Sequence, residues 1–322
     1  MSDISVGIDV SKVKFDVAIL FPDNKIKNKK FDNKHTGFNE MIEWLKKHKA
    51  SDAHICMEAT GIYGETLATY LFEADYKVSV VNPAQIKGFA QCELVRTKTD
   101  KIDSQLIARF CRAIQPSLWH PKPKHIQELQ AWIRRLEALQ DLYYQETNRL
   151  GTAPAYTTSS IEEVCEILAK KIDEVKKKIA DLIEKDPELR NKQQLLETIP
   201  GIGKATIAQI LAFMGNVEDF KNAKQLAAFV GLNPKHKQSG SSVQGRARLS
   251  KIGDARLRKV FYMPAVVAKH HNPIIQDFCR RLEVAGKPTM LIIGAIMRKL
   301  IHIIYGVLKS GKPFDINLAM GR

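Results

Sequence analysis

Four acidic residues occupy positions from which carboxylates carry out phosphoryl chemistry. Asp9 lies near the end of Val6-Gly-Ile-Asp-Val-Ser, Glu58 follows Ile55-Cys-Met, and Asp100 and Asp103 lie in Lys98-Thr-Asp-Lys-Ile-Asp-Ser. The first two close apolar runs that read as strands, while the i, i+3 spacing of the second pair puts both on one face of a helix. Strand-terminal carboxylates joined by a helical pair suit a hard divalent cation with oxygen ligands, Mg²⁺ above all. Two such ions about 4 Å apart would neutralise both the attacking and the leaving oxygen of a phosphodiester. Taken singly, each residue also has an ordinary use, as a helix cap for Asp100 or Asp103 and as a surface turn for Glu58.

Two further segments carry phosphate-directed chemistry. Leu196-Glu-Thr-Ile-Pro-Gly-Ile-Gly-Lys sits between apolar helical stretches and has the pattern of a helix-hairpin-helix. Gly201 and Gly203 would let backbone approach a phosphate, and Lys204 adds a cation. Farther on, Lys235, Lys237, Arg246, Arg248 and Lys251 are interleaved with glycines and with Ser239, Ser241 and Ser242, and Arg256 and Arg258 follow. Such a stretch clamps a nucleic-acid backbone, or offers a serine hydroxyl to attack phosphorus. Composition leaves both uses open.

These groups need elements to position them. Residues 5–10, 14–21 and 25–31 read as three strands in series, with Pro22-Asp23-Asn24 as the turn of a hairpin. A helix (37–48), a strand (53–57), a helix (62–72), a strand (77–81) and a helix (104–113) follow, making an α/β sheet domain. Residues 126–150 and 161–182 are two long helices. The second carries Ile161, Cys165, Leu168, Ile172, Val175, Ile179 and Leu182 at alternating steps of four and three, a heptad pattern that favours a coiled coil between subunits over packing within one chain. The remainder reads as mainly helical, with residues 233–255 as a long basic loop. Three regions result: 1–119, 120–189 and 190–322.

Charge separates the same regions. The chain has 322 residues and a formal net charge of +15. Residues 190–322 hold 22 basic and 7 acidic side chains, so this region carries the whole excess and points to a polyanionic partner. Five cysteines without a CxxC pair argue against a disulfide scaffold or a zinc knuckle. The sequence gives no expectation of a membrane span, since the apolar run 290–297 is stopped by Arg298 and Lys299. The opening Met-Ser-Asp-Ile-Ser is no secretory leader, so a cytoplasmic, nucleoid-associated protein is expected.

In order along the chain, GIDVSK, CMEATGIY, VNPAQIKGFAQ, RTKTDKIDSQLIA, IPGIG, LAAFVGLNPK, QSGSSVQGRARLSKIGDARLR and YGVLKSGKPFD resemble the DEDD insertion-sequence transposases. That family includes Piv-type DNA invertases and bridge-RNA-guided recombinases. The resemblance implies a RuvC-like (ribonuclease H-like) domain with Asp9, Glu58, Asp100 and Asp103 as the metal-binding quartet. A coiled-coil region and a C-terminal transposase domain would follow, with Ser239 as nucleophile, one block away from Ser241 and Ser242. It further implies two Mg²⁺ ions per site, donor and target double-stranded DNA, a structured guide RNA, and dimers that pair into a tetramer. A RuvC-like nuclease or junction resolvase without serine chemistry is the alternative. An actin-type phosphotransferase also opens with a hairpin and a Gly-x-Asp-x-Ser stretch like Gly7–Ser11, but this sequence shows no second phosphate loop or adenosine-binding segment.

Overall fold

The computed structural model describes residues 4–59, 61–94, 99–239 and 243–316. The chain divides into two compact units, residues 1–122 and 123–322.

The first unit is built on β1 (Ser5–Val10), β2 (Lys14–Leu20) and β3 (Ile26–Asp32), followed by α1 (His35–Lys47), β4 (His54–Glu58), α2 (Ile62–Glu73), β5 (Lys77–Val81), α3 (Pro83–Cys92) and α4 (Asp100–Ile114). The strands form one mixed sheet in the order β3-β2-β1-β4-β5. The pairs β1–β2 and β2–β3 are antiparallel, and β4 and β5 run parallel to β1. Alternation along β2 buries Phe15, Val17 and Ile19 against α1 and α2, with Phe38, Met41, Leu45, Leu67 and Leu71 opposite them. The expected strands and helices all form. Helix α3 is additional: Asn82 accepts the Ala84 N–H at 2.8 Å and Pro83 opens the helix, a start signal present in Asn-Pro.

On the other face α4 crosses β1 and β2, and Gly7 makes this possible. A Cβ there would stand 2.1 Å from the Ser104 carbonyl oxygen and 2.2 Å from the Ala108 nitrogen. Ala18, the cross-strand partner of Gly7, packs against Ala108 in the same small-residue seam. Farther along, Gln105 Nε2 donates to Asn28 Oδ1 at 2.8 Å, and Arg112 donates to the Phe21 carbonyl and to Asn24 Oδ1. Helix α4 therefore runs antiparallel to β1, which carries its N-terminus to the C-terminal end of that strand.

Both sheet edges are shielded. On β5, Trp119 N–H donates to the Val78 carbonyl at 2.7 Å, while Ser79 Oγ donates to the carbonyls of Pro116 and Ser117. On β3, at the opposite edge, Lys27 and Lys29 lie over the rings of Phe21 and Phe31.

The second unit is mostly helical. Helices α5 (Lys124–Leu150) and α6 (Ala155–Lys185) form an antiparallel hairpin, and α7 (Pro187–Glu197), α8 (Lys204–Phe213) and α9 (Ala223–Phe229) follow. Next come β6 (Pro234–Ser239), β7 (Val243–Leu249), α10 (Ala255–Val260), α11 (Tyr262–His271), α12 (Pro273–Val284) and α13 (Thr289–Ser310). Ile172, Val175, Ile179 and Ile183 are buried in the core of this unit, so the lower heptads of α6 pack within the chain. Ile161, Cys165 and Leu168 remain partly exposed. The segment expected to be a long basic loop is in large part an antiparallel ribbon, β6 on β7. Alternating small and basic residues with few apolar ones hid that ribbon from a hydrophobic-period search. Helix α13 is long and apolar enough to cross a membrane by length and composition, which the charged break at Arg298 and Lys299 had not led us to expect. Its apolar side is spent on the core instead, with Ile292, Ile296, Leu300, Ile301 and Ile304 buried. The cysteines form no disulfide.

Candidate active site

The sheet register builds the acidic site. Asp9 pairs across to Asp16 on β2, and Asp16 pairs to Lys30 on β3. On the other side Ile8 is level with Met57 of β4, so Glu58 falls one step on, beside Asp9. Lys30, Asp16, Asp9 and Glu58 thus form one row across four strands, on the face that Gly7 and Cys56 present to α4. Helix α4 enters over this row. Thr99 Oγ1 accepts the Ile102 N–H at 3.3 Å and serves as the N-cap, a task that Asp100 and Asp103 are thereby spared. Both carboxylates lie in the first turn, where the helix dipole favours negative charge.

These groups act on one another electrostatically. The Asp9 carboxyl is raised from its ordinary 3.8 to about 6, first by burial and then by the charges of Asp103, Asp100, Glu58 and Asp16. Asp16 was missed in the sequence, although counting register through the Pro22-Asp23-Asn24 hairpin places it opposite Asp9. Lys30 was missed with it. Its Nζ lies 3.1 Å from Asp16 Oδ2 and 3.5 Å from Asp100 Oδ2. By chemistry this all-oxygen, surplus-negative donor set fits a hard divalent cation. By spacing it is open: among the described residues no three His, Cys, Asp or Glu side chains stand close enough together to hold an ion.

The phosphate-directed residues of the second unit separate into two groups. Gly203 and Lys204 are exposed at the start of α8, and nothing lies within 4 Å of the place a Gly203 Cβ would take. Gly201 serves packing: its φ is +98°, and a Cβ would stand 2.8 Å from Ala268 of α11. Asn272 Nδ2 donates to the Pro200 carbonyl and fixes this turn. Lys235 and Arg248 face each other across the ribbon and are both exposed, a like-charged pair that costs stability unless an anion lies over it. Lys251 is exposed as well.

Arg256 and Arg258, in contrast, are engaged internally. Arg256 Nη1 lies 3.0 Å from Glu137 Oε2, an ion pair without hydrogen-bond alignment, and its guanidinium stands 4.5 Å from the Phe213 ring centre. Arg258 Nη1 donates to the Val230 and Lys251 carbonyls, holding the turn where Gly231 and Gly253 take positive φ. Ser239 is the last residue of β6, paired with Val243. The side chains of Ser239, Lys237 and Arg246, and Ser241 and Ser242 altogether, lie outside what is described.

Comparison with known proteins adds to this geometry. Residues 6–153 match a DEDD transposase domain model, and residues 193–280 match the model described as transposase IS116/IS110/IS902 family. The pilin gene-inverting protein of Moraxella bovis is 37% identical over 318 residues, 98% of each chain, and that of Moraxella lacunata is similar to the same extent. The transposase for insertion sequence element IS1111A of Coxiella burnetii is 32% identical over 78 residues, which is 24% of this chain and 21% of that one.

Proposed function

This chain belongs to the IS116/IS110/IS902 transposase family, and from that membership we propose that it exchanges DNA strands through a serine-linked intermediate, with the acidic row as its metal site. The observation that supports the proposal is the strand register that sets Asp9 level with Asp16 and beside Glu58 at the end of the central strand, with Asp100 and Asp103 in the first turn of the helix that crosses it. Such a concentration of like charge at one end of a sheet costs stability and is kept where function requires it.

In the proposed reaction Ser239 Oγ attacks the phosphorus of a phosphodiester and loses its proton. The P–O bond to one deoxyribose breaks, and that oxygen takes up a proton to become a free hydroxyl. The other fragment stays joined to the protein as a phosphoserine. A hydroxyl from a second DNA strand then attacks the same phosphorus and releases Ser239, so the phosphodiester bond energy is conserved. A divalent cation held by Asp9, Glu58, Asp100 and Asp103 would offset the charge that develops on phosphorus and ease ionisation of the attacking hydroxyl. Lys204, Lys235, Arg248 and Lys251 are suited to backbone phosphates, which position DNA without reading its sequence. Sequence choice would then rest with a structured RNA that pairs with donor and target, as the family resemblance implies. Serine and carboxylates are carried on separate units, and pairing of subunits through α6 into dimers and a tetramer would supply several copies of each.

The test uses purified protein, Mg²⁺ and labelled DNA containing a joined-end junction, with and without co-purified RNA, followed by denaturing electrophoresis. A protein–DNA adduct is expected for the wild type and should vanish in Ser239→Ala, with binding retained. An adduct that survives in Ser239→Ala and is lost in Ser241→Ala or Ser242→Ala moves the nucleophile. Metal-dependent cleavage with no adduct in any protein favours the plain nuclease.

A further inference from the structure

Strand β3 carries three lysines, and they do not share one environment. Lys27 and Lys29 lie over Phe21 and Phe31, at 5.9 and 4.9 Å from the ring centres. Lys30, on the alternate face, reaches the acidic row. Its position there is fixed by the backbone, because Asp16 and Lys30 are direct cross-strand partners. Two residues back along the same face, Asn28 is held by Gln105 of α4, which keeps helix and strand together at this edge. The ammonium therefore bridges a strand to the first turn of α4, at the mouth of the carboxylate site. The two ends of the bridge differ: Asp16 is mostly buried, with 16% of its side chain exposed, whereas Asp100 is 70% exposed and lies at the longer distance.

We propose that Lys30 is a positioning residue that acts as the resident counter-charge of the metal site, holding Asp100 beside Asp16 until Asp100 passes from the ammonium to an incoming divalent cation. This rests on the metal-site reading given above and adds to it a competitor built into the chain. Lys30 stays anchored on Asp16 when Asp100 leaves, so the exchange needs a side-chain rotation and no movement of the sheet.

The experiment is calorimetric titration of the full chain, freed of metal by dialysis against EDTA, with Mg²⁺ and separately with Mn²⁺, alongside thermal melts in EDTA. Lys30→Gln should bind either ion about two- to fivefold more tightly, the range expected for removing one partly exposed ion-pair competitor, and should melt lower without metal. Lys30→Arg should restore wild-type values. Lys29→Gln removes the same charge from the other face and should leave the affinity unchanged. Unchanged or weaker binding in Lys30→Gln overturns the proposal, as does an equal shift in Lys29→Gln, which would reduce the effect to net charge. Absence of binding by the wild type overturns the metal site itself, and is seen before any variant is compared.

Discussion

At Asp9 a carboxyl is held where neighbouring like charge works against its ionised form. A half-buried carboxyl raised to about 6 among four like charges favours its protonated form, so the folded chain binds a proton more tightly than the unfolded one. Its contribution to stability is fully present below pH 3.8 and is lost as pH rises through about 6. Above that pH the ionised group works against folding. Asp9→Asn should therefore melt several degrees higher than wild type at pH 7.5 in EDTA, lose that advantage at pH 4, and be inactive in strand exchange. A variant that melts at or below wild type at pH 7.5 would show that Asp9 is already compensated without metal. The arginines teach a related lesson. By composition Arg246, Arg248, Arg256 and Arg258 are alike, but Arg258 holds two carbonyls and Arg256 lies between Glu137 and Phe213.

At the scale of elements, Gly7 permits a close helix–strand crossing, and this crossing brings Asp100 and Asp103 to Asp9. Helix α6 behaves differently along its length. Its lower half is buried within the chain, whereas Val164 and Ile167 are 40% and 62% exposed on the upper half, with Tyr156 at 89%. If subunits pair through α6, the upper half is the part available to do so. Val164→Asp with Ile167→Asp should reduce the sedimentation coefficient at micromolar concentration while leaving the thermal melt of the isolated chain within about 0.5 kcal/mol, as for other surface changes. Unchanged sedimentation would remove α6 from assembly. Most elements of the first unit were legible in the sequence, because period-two and period-3.6 patterns mark half-buried strands and helices. The ribbon β6–β7 was not legible, since β6 is polar throughout and the alternating face of β7 offers mainly small residues, Gly245 and Ala247 between Val243 and Leu249. The four carboxylates were legible from strand ends and spacing, whereas Asp16 and Lys30 required the register, which only the fold supplies.

For the molecule as a whole, the excess of +15 matters through its placement rather than its size. Exposed cations that face DNA release counterions on binding, so each adds about one to the slope of log affinity against log salt. Arg248→Ala should lower that slope by about one in filter-binding or fluorescence titrations between 50 and 300 mM salt (roughly the range over which such contacts are resolved). Arg256→Ala should leave the slope unchanged and lower the melting temperature instead. The reverse pattern would mean that the internal contacts of Arg256 are given up on binding DNA.

The shielded margins of the five-stranded sheet bear on a hazard that any DNA-joining protein meets when several copies crowd onto one stretch of duplex. A bare strand edge would invite a neighbour to add its own strand and start a growing aggregate. Here one margin is capped by a returning segment of the chain and the other bristles with lysine. A margin blunted in either way offers no template for another copy's strand.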